Sequence, residues 1–313
     1  MDMSEITERQ KTKKKDFHMK SKIFYTALMV VPVLQFIVFY IGVNINSILL
    51  AFQKIEISSN AEKTITWTWK NFADWFTNET SRSLVLTATG TSLKVYAITL
   101  FTGVPLGLLF SYYIYKKMPG ASAFRVVLFM PSIISSIVMV LIYKYCVNDA
   151  LPAIFKGLPK LLDNSNTRFG AIAFYNVYVS FGTSVLMYSN KMAGISPEII
   201  EAADLDGATQ LQEFWHVVLP LTFPTISIFL ITGVATLFTN QFNLYSFYGG
   251  YKTVPDSALE TLGYYMYSRA EAAKLDQTVY PPLAALGLIM TAIAVPLTFG
   301  LKFVLEKFGP SED

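Results

Sequence analysis

Charge is what this sequence has least of. Of its 313 residues, 53% are hydrophobic and only 15% are charged, whereas a soluble globular domain carries about 25% charged residues. One cysteine (Cys146) and two histidines (His18 and His216) are present. These counts exclude a disulfide within the chain and most metal or acid–base sites, which need several such side chains. No G-x-x-x-x-G-K-[ST] segment occurs, so the chain has no P-loop for binding ATP.

The charged residues are few because long stretches of the sequence contain almost none. Five of them contain no Asp, Glu, Lys or Arg, and a sixth, residues 83–115, contains only Lys94. Each can supply the roughly 17–25 residues that a helix needs to cross a bilayer. Backbone groups in lipid must be satisfied within the segment, so helices are expected. We therefore predict an all-α integral membrane protein with six transmembrane helices at about 23–50, 84–115, 124–146, 169–191, 218–247 and 280–304.

The cations indicate the orientation of these helices. Seven Lys and Arg residues lie within residues 1–22, and Lys116, Lys117 and Arg125 crowd one short loop. Because cytoplasmic loops are enriched in Lys and Arg, the 1–22 tail and the short 309–313 tail are predicted to be cytoplasmic, on either side of a 23–308 transmembrane domain. A lipid-binding patch is the alternative interpretation of the basic tail. The net charge of +3 gives no indication of nucleic acid.

Polar side chains recur at helical spacing inside three of the predicted spans. Asparagine facing lipid is costly, so the three asparagines are expected to face protein or a wet cavity. Serine and threonine also pack membrane helices together, as a small-x-x-x-small pair such as Gly103 and Gly107 does, so for them packing remains an equal alternative. The predicted substrate-pathway residues are Ser132, Ser135, Asn176, Ser180, Thr183, Thr236, Thr239, Asn240 and Asn243.

Such a cavity suits a neutral, hydroxyl-rich solute such as a sugar. It offers hydroxyls, amides and aromatic rings, and Lys94 is its only candidate charge. A polyamine or phosphate ester would call for several fixed charges there. A secondary carrier normally has intramembrane carboxylates, and a membrane enzyme would need clustered acids, histidines or a metal motif. The spans contain none of these, so both are poor alternatives.

A short acidic segment, EAADLDGATQ, interrupts the apolar pattern between the fourth and fifth spans. Ser196 can cap a helix that begins at Pro197, and Glu198 suits the positive end of the helix dipole. Gly207 ends this helix, with an expected positive φ. A second helix is predicted after Thr209, with Gln212 as its capping-box partner. A solvated amphipathic linker is the alternative interpretation.

The spacing of this segment resembles the EAA signature of binding-protein-dependent ABC importer permeases. The matching residues are Glu201-Ala202-Ala203, Gly207, Val217 (often Ile in that family) and Leu219-Pro220. The stretch VLFMPSIISSIVMVLIYK, with Pro131, resembles the third span of carbohydrate-importer permeases. WKNFADWF resembles their entry to the second span, although Trp69 and Lys70 replace the usual Gly-Leu.

The resemblance implies the type I ABC importer permease fold and a transport role without catalysis of its own. The loop would be a coupling helix that docks on an ATPase, with Glu201 pairing with a basic residue there. The implied coupling residues are Glu198, Glu201, Ala202, Ala203, Asp204, Asp206, Gly207, Leu219 and Pro220. By the same resemblance, Asn176 and Ser180 fall where family members contact sugar.

The implied assembly is a bacterial cell-membrane importer of an oligosaccharide or related carbohydrate, working by alternating access. Its partners would be a second homologous permease subunit, two ATP-binding ABC subunits and an extracellular solute-binding protein, with membrane lipid around them. ATP and Mg would be bound by the partner ATPase, and this chain would hold no cofactor and contact no nucleic acid.

Overall fold

The computed structural model describes residues 21–57, 63–250, 254–274 and 276–310. The predicted 1–22 tail lies outside these ranges except for its last two residues, and so does most of the predicted 309–313 tail. In the described ranges the chain is mostly helical, with one two-stranded sheet.

Six helices in the described part of the chain are long and apolar enough to cross a membrane, as predicted. They are α1 (Ser21–Ala51), α3 (Glu79–Tyr115), α5 (Ser136–Ile154), α6 (Ser165–Ala193), α8 (Gln210–Ala235) and α11 (Gln277–Phe308). Five shorter helices connect them or lie beside them: α2 (Lys70–Thr77), α4 (Ala121–Ile133), α7 (Pro197–Leu205), α9 (Leu244–Tyr248) and α10 (Leu262–Ala272).

The aromatic-rich loop after α1 forms a hairpin that the sequence did not reveal. Strands β1 (Gln53–Ile57) and β2 (Lys63–Trp67) pair antiparallel, with Ile55 opposite Ile65. Trp67 is exposed. Trp75 in α2 instead donates from its indole nitrogen to the carbonyl of Pro282 at 2.9 Å, which ties α2 to the start of α11.

The connecting segments lie at two opposite ends of the helices. At one end, Lys116 after α3 pairs with Glu213 in α8, with 2.6 Å between Nζ and the carboxylate oxygen. At the other end, Lys63 in β2 donates to the side chain of Gln277 in α11 at 3.1 Å. We call these the α7 end and the hairpin end, since α7 lies at the first and the hairpin at the second.

Close contacts between small residues hold α6 against its neighbours. A Cβ added to Gly107 in α3 would lie 3.5 Å from Oγ of Ser184 and 3.6 Å from the ring of Tyr188. A Cβ added to Gly182 would lie 2.9 Å from the Cβ of Ser132 in α4. Gly107 and Gly182 thus let α3 and α4 approach α6 closely, beside Ser184 and Ser132.

The predicted third span, 124–146, is not one helix. Helix α4 ends at Ile133, Ile134 and Ser135 are extended with ψ of 141° and 135°, and α5 then begins at Ser136. Pro131 has no N–H to donate to the carbonyl of Val127, which accepts instead from the hydroxyl of Tyr178 at 3.5 Å. The helix that is long and apolar enough to cross is α5, and it extends to Ile154.

The predicted fifth span, 218–247, also ends early. Helix α8 begins at Gln210 and stops at Ala235, and Phe242 and Asn243 then both take φ of +54°. Helix α10 packs directly on the segment after Ala235: a Cβ on Gly263 would lie 2.5 Å from the carbonyl carbon and oxygen of Thr239. The prediction that Thr236, Thr239, Asn240 and Asn243 share one face of a continuous helix is therefore wrong, because this packing turns the chain.

Candidate functional site

The predicted acidic helix is present and is α7, Pro197–Leu205. Ser196 takes the N-cap position and Pro197 is the first helical residue, although the Ser196 side chain makes no capping hydrogen bond. Gly207 has φ of +77°. Its N–H donates to the carbonyl of Asp204 at 3.1 Å, and the next N–H, of Ala208, donates to Ala203 at 3.0 Å. A left-handed glycine thus satisfies the last carbonyls and turns the chain sharply.

The exposed surface of α7 combines acids with an apolar side chain. Ala202 is exposed and Ala203 is half-buried. Leu205, at the end of the helix, is 89% exposed. It was missed by the sequence reasoning, although an apolar residue directly before an Asp-Gly turn is the signal that could have found it. The exposed acids around it are Glu198, Glu201, Asp204 and Asp206. This surface is suited to a basic partner groove with an apolar pocket.

The second helix of the loop starts with the predicted capping box. The backbone N–H of Gln212 donates to Oγ1 of Thr209 at 3.4 Å, and the side chain of Gln212 accepts from the Thr209 N–H at 2.9 Å. A π-helical turn over Phe214–Val218 follows. Leu219 and Pro220 are half-buried within α8, and Leu219 packs against the cluster of Phe214 and Val218.

A polar junction lies at the other end of α8, where the chain leaves the helix. The amide nitrogen of Asn176 in α6 donates to the carbonyls of Ile172 at 2.9 Å and Phe242 at 3.1 Å. The amide nitrogen of Asn243 donates to Oδ1 of Asn176 at 2.7 Å. Both asparagines are half-buried. The structure therefore brings together two of the three predicted asparagines, which satisfy each other and hold the left-handed turn.

Within the described part of the chain, the remaining predicted pathway residues make no hydrogen bond with the side chains of Asn176 and Asn243, so the structure does not bring them into one cluster with this junction. Asn240 is exposed, and its side chain accepts from the N–H of Phe242 at 2.8 Å. Several hydroxyls bond to the preceding helical turn, as Thr236 does to the carbonyl of Thr232 at 2.8 Å. All six predicted pathway residues that carry a hydroxyl are exposed: Ser132, Ser135, Ser180, Thr183, Thr236 and Thr239.

Few charges lie near the junction. Lys94 in α3 is exposed, and Lys144 in α5 donates to the carbonyl of Phe247. Glu260 precedes α10 and is 9% exposed; burial raises the pKa of its carboxyl above the ordinary value, and the nearby Arg269 guanidinium opposes that shift. No group of three or more metal-ligating side chains occurs among residues 21–57, 63–250, 254–274 and 276–310.

Comparison with known proteins gives the class of the chain. Residues 103–310 match the family described as the inner membrane component of binding-protein-dependent transport systems. This range holds the acidic loop and the last five of the six crossing helices, at least in part. The chain belongs to this family, and it is a transport component and not an enzyme.

The relatives of known description are permeases. The multiple sugar-binding transport system permease protein MsmF of Streptococcus mutans is 30% identical over 56% of this chain and 62% of its own length. The maltose/maltodextrin transport system permease protein MalF of Escherichia coli K12 is 25% identical over 56% of this chain and 36% of its own. The chain thus spans less than two thirds of either protein. The probable ABC transporter permease protein YurN of Bacillus subtilis is 29% identical over 78% of this chain and 84% of its own length.

A solved structure has the same fold. It belongs to a bacterial ABC transporter involved in the import of the acidic polysaccharide alginate. Its matching chain has a TM-score of 0.75 and 18% identity, with 94% of this chain and 99% of that chain covered. The predicted type I importer permease fold is therefore confirmed.

Proposed function

We propose that this chain is the membrane-spanning permease subunit of an ATP-driven, binding-protein-dependent importer, and that it moves an oligosaccharide or related carbohydrate by alternating access. The observation that carries the proposal is the exposed acidic helix α7 with its Gly207 turn, at the spacing of the EAA signature and inside the family match. One end of the molecule thus offers a partner surface, and the far end of α8 offers a polar junction.

The α7 surface is the proposed contact with a partner ATPase. The four exposed acids would meet basic side chains there, and Leu205 would enter an apolar pocket. ATP and Mg would be bound by that ATPase. The α7 end, with its neighbouring Lys116, Lys117 and Arg125, would then be cytoplasmic by the positive-inside rule, and so would both chain termini, in the membrane of a bacterial cell.

A carbohydrate is the proposed solute because the junction at the hairpin end of α8 is rich in amides and hydroxyls and poor in charge. Two of the relatives are named for multiple sugar-binding transport and for maltose/maltodextrin transport, and this supports a carbohydrate over a polyamine or phosphate ester. A solute-binding protein would deliver the sugar at the hairpin end. A second permease chain would complete the cavity, because the six predicted pathway residues that carry a hydroxyl are exposed in this chain by itself.

Purification from native membranes in mild detergent tests the assembly directly. Mass spectrometry of what accompanies the chain is expected to identify a second permease and an ATPase. Addition of Mg-ATP and a sugar-loaded binding protein should raise ATP hydrolysis by the complex. A chain that is recovered alone or only as a homo-oligomer, with nucleotide present, would contradict the proposal.

The polar junction gives a prediction about the solute path. Asn176→Ala removes the donor to the Phe242 carbonyl and the acceptor for Asn243, each bond being worth about 1 kcal/mol. We expect sugar uptake to fall severalfold while the second permease and the ATPase still co-purify. Asn190→Ala, an exposed position on the same helix near the α7 end, is the matched control and should leave uptake unchanged. Normal uptake by Asn176→Ala would assign this residue to packing alone.

A further inference from the structure

A buried ion pair joins the acidic loop to the end of α3. Nζ of Lys116 lies 2.6 Å from a carboxylate oxygen of Glu213, and the two side chains are 20% and 1% exposed. The second carboxylate oxygen of Glu213 is buried without a hydrogen-bond partner in the part of the chain that the structure describes. A charge so buried depends on its partner, because removing one member of such a pair leaves the other uncompensated.

Tyr112 makes two further contacts between the same two helices. The hydroxyl of Tyr112, one turn before Lys116 in α3, donates to the carbonyl of Gln210 at 2.9 Å. The Tyr112 ring also lies 5.0 Å from the ring of Phe214, centroid to centroid. Three contacts within five residues, at Gln210, Glu213 and Phe214, therefore fix the start of α8 to the end of α3.

The acidic helix rests on the same apolar cluster. Ile200 in α7 packs against a cluster that contains Phe214 and Val218 from α8 and Tyr188 and Met192 from α6. An exposed salt bridge is worth little, since solvent screens it and its side chains stay mobile. The Lys116–Glu213 pair differs because the Glu213 carboxylate is fully buried and Lys116 is largely covered, and so the pair links α3 and α8 beside α7.

We propose that Lys116 and Glu213 are positioning residues that carry a displacement of α7 into α3, and so into the helices that line the solute path. This inference rests on the proposed function. In the proposed function, α7 moves with the ATPase. The Lys116–Glu213 pair then ensures that α3 moves together with the start of α8. Packed side chains and ion pairs whose contacts are kept as the helices move carry coupling of this kind between distant sites.

The test uses the complex purified from native membranes and needs no knowledge of the sugar. Cys146 is replaced by serine, and Thr239→Cys, at an exposed position beyond α8, is the labelling site for a maleimide. The labelling rate is measured with and without Mg-ATP. Lys116→Gln and Glu213→Gln are each expected to keep the ATPase bound and hydrolysing ATP, while the ATP-dependent change in labelling falls at least about tenfold, within the usual range of coupling energies.

Three further variants separate coupling from stability. The exchange Lys116→Glu/Glu213→Lys is expected to recover part of the response to ATP. Since a lone buried charge can prevent folding, the double variant Lys116→Met/Glu213→Gln removes the pair without leaving a charge, and it too should lose the response. Lys117→Gln, at the exposed neighbouring position, should keep it.

Two results would overturn the inference. One is a full response to ATP in the Lys116→Met/Glu213→Gln complex. The other is a labelling response that falls in direct proportion to the amount of ATPase that co-purifies, which would give the pair a purely structural role. A parent complex without ATPase, or without any response to ATP, would instead refute the proposed function itself.

Discussion

The Gly207→Asp variant is expected to insert in the membrane but to lose ATP-driven uptake. Gly207 has φ of +77°, and a Cβ there would meet nothing within 4 Å, so the substitution causes no clash. An L-residue in this conformation costs about 1–2 kcal/mol, and the added carboxylate joins four exposed acids. Relief of this strain would rotate α7 and Leu205 relative to α8. The exposed surface of α7 would then no longer fit the partner ATPase.

Uptake should fall by at least about tenfold, the effect of 1.4 kcal/mol on an equilibrium. The measurement is sugar uptake, together with ATP hydrolysis stimulated by the loaded binding protein, in vesicles that contain the purified complex. Gly157→Asp is the matched control. Gly157 also has a positive φ, +104°, and open space around it, but it lies at the hairpin end. Normal stimulated hydrolysis by Gly207→Asp would remove the coupling role from this turn.

Gly263→Ala is expected to destabilise the hairpin end strongly, because α10 packs there against backbone. The new Cβ would lie 2.5 Å from the carbonyl carbon and oxygen of Thr239 and 2.7 Å from the carbonyl oxygen of Asn240. These are backbone atoms and cannot rotate away as a side chain can. Overpacking of this kind costs about 1–3 kcal/mol, or more where the backbone must shift.

The expected readout is a lower thermal-unfolding midpoint in detergent, with faster proteolysis of residues 236–250. Gly287→Ala is the control, because its Cβ would approach only the terminal methyl of Met266, at 3.3 Å, and that flexible side chain can move. A Gly263→Ala protein that unfolds at the parental temperature would show that α10 does not fix the end of α8.

Helices α6 and α8 join the two functional surfaces proposed for the chain. Tyr188 and Met192, near the α7 end of α6, pack with Phe214 of α8. Asn176, nearer the hairpin end of α6, bonds to the carbonyl of Phe242 beyond α8. Because packed helices move as rigid bodies, a displacement at α7 would reach the polar junction through these contacts.

Much of the molecule follows from local sequence. The six crossing helices follow from uncharged stretches long enough for a bilayer. The acidic helix follows from Pro197 at its start and Gly207 at its end, and the next helix follows from the Thr209–Gln212 capping box, all of which the structure confirms. These features depend on residues within a few positions of each other, so the sequence alone determines them.

Contacts between distant residues required the tertiary structure. The early end of α8 depends on Gly263 meeting the backbone of Thr239, and the burial of Glu213 depends on Lys116, almost a hundred residues earlier. Hydropathy indicates whether a segment is suited to lipid or to water, but it does not indicate which helix packs against that segment. The sequence by itself therefore determined which segments enter the membrane and where the acidic loop lies, and only packing decided where the helices break and which charges are enclosed.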